Sequence, residues 1–175
     1  MRLAALVLGV GVSLALSGSP RLAHAFEREW HLGGGAGVAK GNGLQLGPAL
    51  GAYAAYGISD VFDARVELTA RGYHLGSEQN PNALSAMAGL AYKLDVLRWV
   101  PWAGVYVGYV RFLEPPRASL SFKQSDVALG LGLGLDYAFF RNFGLGVSLH
   151  FDDALTHADA STFDALLRAE YRWGW

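Results

Sequence analysis

The chain has 175 residues, enough for one domain, and its composition is unusual for a soluble globule: 52 % of residues are apolar and only 17 % are charged. It contains 23 glycines and 22 aromatics (9 Phe, 8 Tyr and 5 Trp) and no cysteine, which excludes a disulfide framework, a thiolate nucleophile and a Cys-ligated zinc site. The formal net charge of −1 excludes the basic surface that nucleic-acid binding requires.

Residues 1–25 read as an export signal. Arg2 supplies a positive start, an apolar run extends from Leu3 to Leu16, and Ala23-His24-Ala25 is an A-x-A cleavage site. The run is too short to anchor the chain, because about 20 apolar residues are needed to span a bilayer and Ser17-Gly18-Ser19-Pro20-Arg21 interrupts it. The expected mature chain, residues 26–175, loses Arg2 and Arg21 from the 14 basic residues, leaving 12 against 15 acidic ones, a net −3. No other segment is long and apolar enough for a transmembrane helix. The remaining structure that satisfies its backbone within lipid is a closed β-barrel.

From residue 30 onward the hydrophobic period is two, the spacing of a strand with one apolar face. Trp30, Leu32, Ala36 and Val38 alternate with His31 and glycines. A second strand is expected over 49–58 with Leu50, Ala52, Ala54, Tyr56 and Ile58 outward. A third has Ala64, Val66, Leu68 and Ala70 outward against Asp63, Arg65, Glu67, Thr69 and Arg71. A fourth has Leu84, Ala86, Ala88, Leu90, Tyr92 and Leu94 outward. A fifth covers 99–112, where both faces of Trp102-Ala103-Gly104-Val105-Tyr106-Val107-Gly108-Tyr109 are apolar and the facing stays open. The clearest is Val127-Ala128-Leu129-Gly130-Leu131-Gly132-Leu133-Gly134-Leu135-Asp136-Tyr137, leucine on one face and glycine on the other. Phe143, Leu145, Val147, Leu149 and Phe151 then alternate with Gly144, Gly146, Ser148, His150 and Asp152. Finally Phe163, Ala165, Leu167, Ala169, Tyr171, Trp173 and Trp175 alternate with Asp164, Leu166, Arg168, Glu170, Arg172 and Gly174.

The pattern predicts an all-β protein, an eight-stranded antiparallel up-and-down transmembrane barrel. Its even-numbered links are short (59–60, 96–100 and 139–142), and its odd-numbered links are longer and more polar (40–45, 74–83, 113–124 and 153–161). That asymmetry places the short turns on the periplasmic side and the longer loops outside. Aromatics gather toward the periplasmic ends, where Trp30, Tyr56, Phe62, Tyr92, Trp102, Tyr137, Phe143, Tyr171, Trp173 and Trp175 are expected to form an interfacial girdle.

The last strand carries a resemblance. Leu167, Ala169, Tyr171, Trp173 and Trp175 occupy alternate positions up to a terminal aromatic, which resembles the C-terminal signal read by the barrel-assembly machinery. With the signal peptide and the eight alternating strands, residues 30–175 resemble the small OmpA/OmpX-like outer-membrane barrels of Gram-negative bacteria. The resemblance implies an outer-membrane location, contact with membrane lipids and lipopolysaccharide, assembly through the strand ending at Trp175, and a monomer. It implies no ligand, and no nucleic acid is expected as a partner.

The inward face is charged. Asp63, Arg65, Glu67 and Arg71 come from one strand and Arg168, Glu170 and Arg172 from the last, joined by Lys93, Asp95, Asp126, Asp136 and His150. An eight-stranded barrel is only wide enough for side chains to fill, so these charges are expected to pair as a plug, with a narrow ion path as the alternative. Gly130, Gly132 and Gly134 are expected to make room for long side chains from the facing wall. Gly33, Gly35 and Gly37 do not form a phosphate-binding loop, because Val38 stands where G-x-G-x-x-G requires its third glycine.

Outer-membrane lipid A deacylases resemble this architecture and use a His, a Ser two residues later and an acid. Here His150-Phe151-Asp152 puts a carboxylate at the serine position, leaving Ser161 or Thr162 as the nearest hydroxyl candidates. Asp152, Asp153, His157 and Asp159 form an acidic group in the last external loop with no defined Ca²⁺ spacing. Pro115 and Pro116 stiffen the third external loop. No catalytic, cofactor-binding or metal-ligating residue and no cofactor is assigned. The expected role is structural or one of surface interaction rather than enzymatic. The alternatives are a pore or conduit for small or hydrophobic molecules, a lipid-modifying enzyme, and a soluble lipocalin-like barrel.

Overall fold

The computed structural model describes residues 28–42, 44–73, 82–94, 98–113, 125–156 and 161–174. The expected signal segment, Asp95, Pro115, Pro116, His157, Asp159 and Trp175 lie outside the described residues. Eight strands follow one another: β1 (Trp30–Gly41), β2 (Gly47–Gly57), β3 (Phe62–Gly72), β4 (Asn82–Lys93), β5 (Trp99–Phe112), β6 (Ser125–Phe140), β7 (Phe143–Ala154) and β8 (Thr162–Trp173). Each pairs antiparallel with its chain neighbours, and β1 also pairs with β8, so the sheet closes on itself. With 11 to 16 residues each, all eight reach the ~9–11 that a tilted membrane strand needs. Among the described residues no helix is long and apolar enough to cross a membrane.

The alternation decides which wall faces lipid. Leu50, Leu68, Leu90, Val105, Leu133, Val147 and Leu167 all lie on the outside and are exposed, while Asp63, Arg65, Arg71, Asp164 and Arg168 lie inside and are buried. The facing expected for the second strand is observed: Leu50, Ala52, Ala54 and Tyr56 point outward and Tyr53 inward. β5 resolves the open choice. Ala103, Val105, Val107 and Tyr109 face out, and Trp102, Gly104 and Tyr106 face in. Trp102 therefore does not belong to the aromatic girdle, contrary to the expectation from its position near the strand start. The register puts it opposite Gly134, which leaves room for the indole inside the barrel, and Trp99 takes the interfacial place instead.

That girdle is built from residues directly opposite each other across the strands. Trp30 pairs with Tyr56, Phe62 with Tyr92 and Trp99 with Tyr137, at ring-centroid distances of 4.9, 5.3 and 4.8 Å. Aromatic cross-strand pairs fix register as well as anchoring the interface. The dyad breaks once, where a register shift between Ala138 and Phe140 turns both Phe139 and Phe140 outward beside the turn to β7. The turn from β2 to β3 is tied by the Ser59 hydroxyl, which accepts from the Phe62 N–H at 3.2 Å.

An apolar cluster lies inside toward the end opposite this girdle. It joins Ala39, Leu44, Ala49, Tyr73, Ala83, Val110, Phe112 and Ala128 with Met87, Tyr106 and Leu166 deeper in the lumen. The longer links join strands at this end, which marks it as the outer mouth, so apolar side chains fill the lumen there while charged ones occupy the rest.

Candidate functional site: the barrel lumen

Among the described residues the buried lumen holds seven carboxylates (Glu29, Asp63, Glu67, Asp136, Asp152, Asp164 and Glu170), five basic side chains (Arg65, Arg71, Lys93, Arg168 and Arg172) and two histidines, His31 and His150. The alternation of β3 and β8 dictates much of this inventory, since every second residue from Asp63 to Arg71 and from Asp164 to Arg172 must point inward. Unpaired charges in so narrow a space are strongly destabilising, and the observed contacts answer that requirement.

Nearest the periplasm, the Lys93 Nζ lies 2.7 Å from Asp63 and the Arg172 Nε donates to Glu170 at 2.5 Å. His31 places Nδ1 3.2 Å from Glu170 and Nε2 3.8 Å from Glu29. Glu29 precedes β1 at the rim, and burial pushes its carboxyl above the usual range. At mid-height, two guanidinium groups sit over two aromatic rings. Arg65 lies 4.2 Å from the Trp102 ring and 4.9 Å from the Tyr53 ring; Arg168 lies 4.1 Å from Tyr53 and 4.8 Å from Trp102. The Tyr53 hydroxyl donates to Glu170 at 2.6 Å and accepts from Arg168 at 2.5 Å, and Arg168 reaches Asp136 at 3.2 Å.

Higher up, the contacts cross the barrel. His150 on β7 points Nε2 to Glu67 on β3 at 3.1 Å and Nδ1 to Asp164 on β8 at 3.3 Å. When protonated, the ring is within ion-pair distance of both carboxylates. Arg71 on β3 donates to Asp152 on β7 at 2.5 Å, to Ser85 on β4 at 3.1 Å, and to Asp164 through both Nε and Nη2. β3 and β7 stand four places apart in a ring of eight, on opposite walls. The lumen is therefore bridged from side to side by its own side chains.

The expected inward charges Asp63, Arg65, Glu67, Arg71, Lys93, Asp136, His150, Arg168, Glu170 and Arg172 are all brought together here. Asp126 is half-exposed near the outer end of β6, where it accepts from the Thr156 hydroxyl at 2.5 Å. Asp152 corrects the expected acidic loop cluster. It lies on β7 facing inward, bound to Arg71, while its neighbour Asp153 faces out. Tyr53, Trp102, Tyr106 and His31 were not singled out by sequence as lumen residues. The readable signal is complementarity of size across the ladder: Tyr53 stands opposite Gly33, Trp102 opposite Gly134 and Tyr106 opposite Gly130. The expectation that the β6 glycines make room is met by these aromatics together with Met87 and His150. A Cβ on Gly134 would lie 2.3 Å from the Trp102 ring, and one on Gly132 2.9 Å from both Tyr106 and His150.

His150 is buried in the lumen between two carboxylates, and both its ring nitrogens face those oxygens. A lipid substrate reaches the outer wall, whose side chains point the other way. Thr162 is buried opposite Asp152 in the register. Among the described residues no group of three or more His, Cys, Asp and Glu forms a metal-binding arrangement.

No family model matches the chain, and no curated protein matches it in sequence. Solved structures do match in fold. The outer-membrane protein OprG of Pseudomonas aeruginosa is 15 % identical with a TM-score of 0.63, over 87 % of this chain and 100 % of that one. The neisserial surface protein NspA is 20 % identical with a TM-score of 0.65, over 84 % and 97 %. The outer-membrane enzyme PagL is 14 % identical with a TM-score of 0.50, over 81 % and 98 %. The chain thus has the fold of the small eight-stranded outer-membrane barrels, a fold that the outer-membrane enzyme PagL also has.

Proposed function

We propose that this chain is a non-enzymatic outer-membrane barrel with a structural or surface-interaction role, in which the lumen braces the wall and does not conduct. The observation that carries the reading is the pair of bridges from β3 to β7, Arg71 to Asp152 and Glu67 to His150. A conduit needs a continuous path, and these pairs join opposite walls of a barrel already only wide enough for its own side chains. The apolar cluster around Leu44, Tyr73 and Phe112 supports the same reading at the outer mouth. The inward, doubly engaged His150 supports a non-enzymatic role over lipid modification.

In this reading residues 1–25 direct export, the alternating aromatics Tyr171, Trp173 and Trp175 of the C-terminal sequence address the barrel-assembly machinery, and the mature barrel is a monomer surrounded by phospholipid and lipopolysaccharide. Planar-bilayer recording of the refolded barrel, together with lipid A mobility on thin-layer plates after expression, tests the proposal. The expected result is no reproducible conductance and unchanged lipid A. Stable conductance steps that change on Arg65→Ala or Glu67→Gln substitution would establish the pore instead. A modified lipid A that disappears in His150→Ala would establish the enzyme.

A further inference from the structure

The outer wall is uneven. On β6 and β7 it is lined by large side chains, Leu129, Leu131, Leu133, Leu145, Val147 and Leu149. Across β2 to β5 alanines interrupt the surface. The register sets Leu50 beside Ala70, Ala70 beside Leu84 and Leu84 beside Arg111 in one row, and Ala52, Leu68, Ala86 and Tyr109 in the next. Where the alanines recede, a groove of about 480 Å³ opens between the leucines and Tyr109, with Arg111 at its β5 edge. That volume falls within the ~300–1,000 Å³ of small-molecule sites.

Arg111 is the last outward-facing residue of β5, at the outer end of the strand. Among the described residues no hydrogen bond or ion pair engages its guanidinium. A cation at the outer end of a membrane strand, without a partner among the described residues and beside an apolar trough, complements a lipid that is anionic at the head and apolar below it. Little other polar surface lines the trough, because Thr69 and Ser85 turn their side chains into the lumen.

We propose that this groove is a specific site for one phosphorylated lipid of the outer leaflet, lipid A, with an acyl chain seated over Ala52, Ala70 and Ala86 and a phosphate held by Arg111. The site goes beyond a general lipid annulus, because it fixes one molecule at one place on the wall. It rests on the outer-membrane placement of the barrel and is independent of whether the lumen conducts.

Native mass spectrometry of the refolded barrel, titrated with lipid A or with phosphatidylethanolamine in detergent micelles, reads the site. Heat-modifiable gel mobility confirms that each variant is folded, so a misplaced barrel and a missing site give different results. The wild type is expected to retain one lipid A in preference to phosphatidylethanolamine. Arg111→Gln should weaken retention about fivefold, the effect of losing one membrane-surface cation. Ala70→Phe, which fills the trough, should abolish the single bound lipid, and Leu149→Phe on the far wall should leave it unchanged. Equal retention by all four proteins, no preference for lipid A, or a dimer that forms regardless of lipid and is lost in Ala70→Phe would each overturn the proposal.

Discussion

The Arg71 guanidinium on β3 reaches across the lumen to the Asp152 carboxylate on β7, 2.5 Å away on the opposite wall. It also holds Asp164 on β8 and Ser85 on β4, so four strands meet at one side chain. Arg71→Met should leave two buried carboxylates without their cation and cost about 3–5 kcal/mol. Adding Asp152→Asn and Asp164→Asn removes the uncompensated charge and should recover much of that loss, a coupling read from urea midpoints in a triple-mutant cycle. Strictly additive losses would contradict the cross-barrel role.

Glu170 accepts hydrogen bonds from Tyr53, Arg168 and Arg172 and faces His31. Glu170→Ala should therefore destabilise by about 3–5 kcal/mol, whereas Asp153→Ala, at an exposed position of β7, should stay within about 0.5 kcal/mol. Unfolding of the folded band on cold gels across a urea series separates the two. Matching midpoints would remove the network from the stability account.

Gly134 and Gly34 test the packing of the wall. A Cβ on Gly134 would overlap the Trp102 ring at 2.3 Å, but on Gly34 the nearest atom is a backbone oxygen at 3.3 Å. Gly134→Ala should cost about 1–3 kcal/mol, the usual cost of overpacking, and Gly34→Ala should cost less. Pairing Gly134→Ala with Trp102→Leu should show relief relative to the two single changes. An unaltered midpoint for Gly134→Ala would mean that the indole does not occupy that space.

Eight strands, their outward faces and most of the inward charges were legible because a membrane wall imposes a period of two without interruption. The Val127–Tyr137 stretch shows it most plainly: leucines face lipid and glycines face the lumen. β5 was opaque to the same logic, since Trp102 and Tyr106 are as apolar as Val105 and Val107, and only the pairing with Gly130 and Gly134 distinguishes the faces. Asp152 reads two ways in the sequence, as the last inward position of the β7 alternation and as the first of the acidic run that follows it. The strand continues to Ala154, and the partner that requires Asp152 inside, Arg71, lies 81 residues away. Pairings across a barrel interior depend on register summed around the ring, which no local pattern records.

Export makes its own prediction. Cleavage after Ala25 should leave a mature protein beginning at Phe26, seen as the N-terminal residue in intact-mass analysis of the membrane-extracted protein. A mass that retains Met1 and the following segment would contradict a cleaved signal.

A closed barrel embedded in the outer membrane has a simple readout. After fractionation of expressing cells, the outer-membrane detergent extract is run on gels with and without boiling. The protein should be recovered in the outer-membrane fraction, with a compact, faster or slower band in the unboiled sample that shifts on boiling. Recovery in the soluble periplasm, with one mobility regardless of heating, would contradict it.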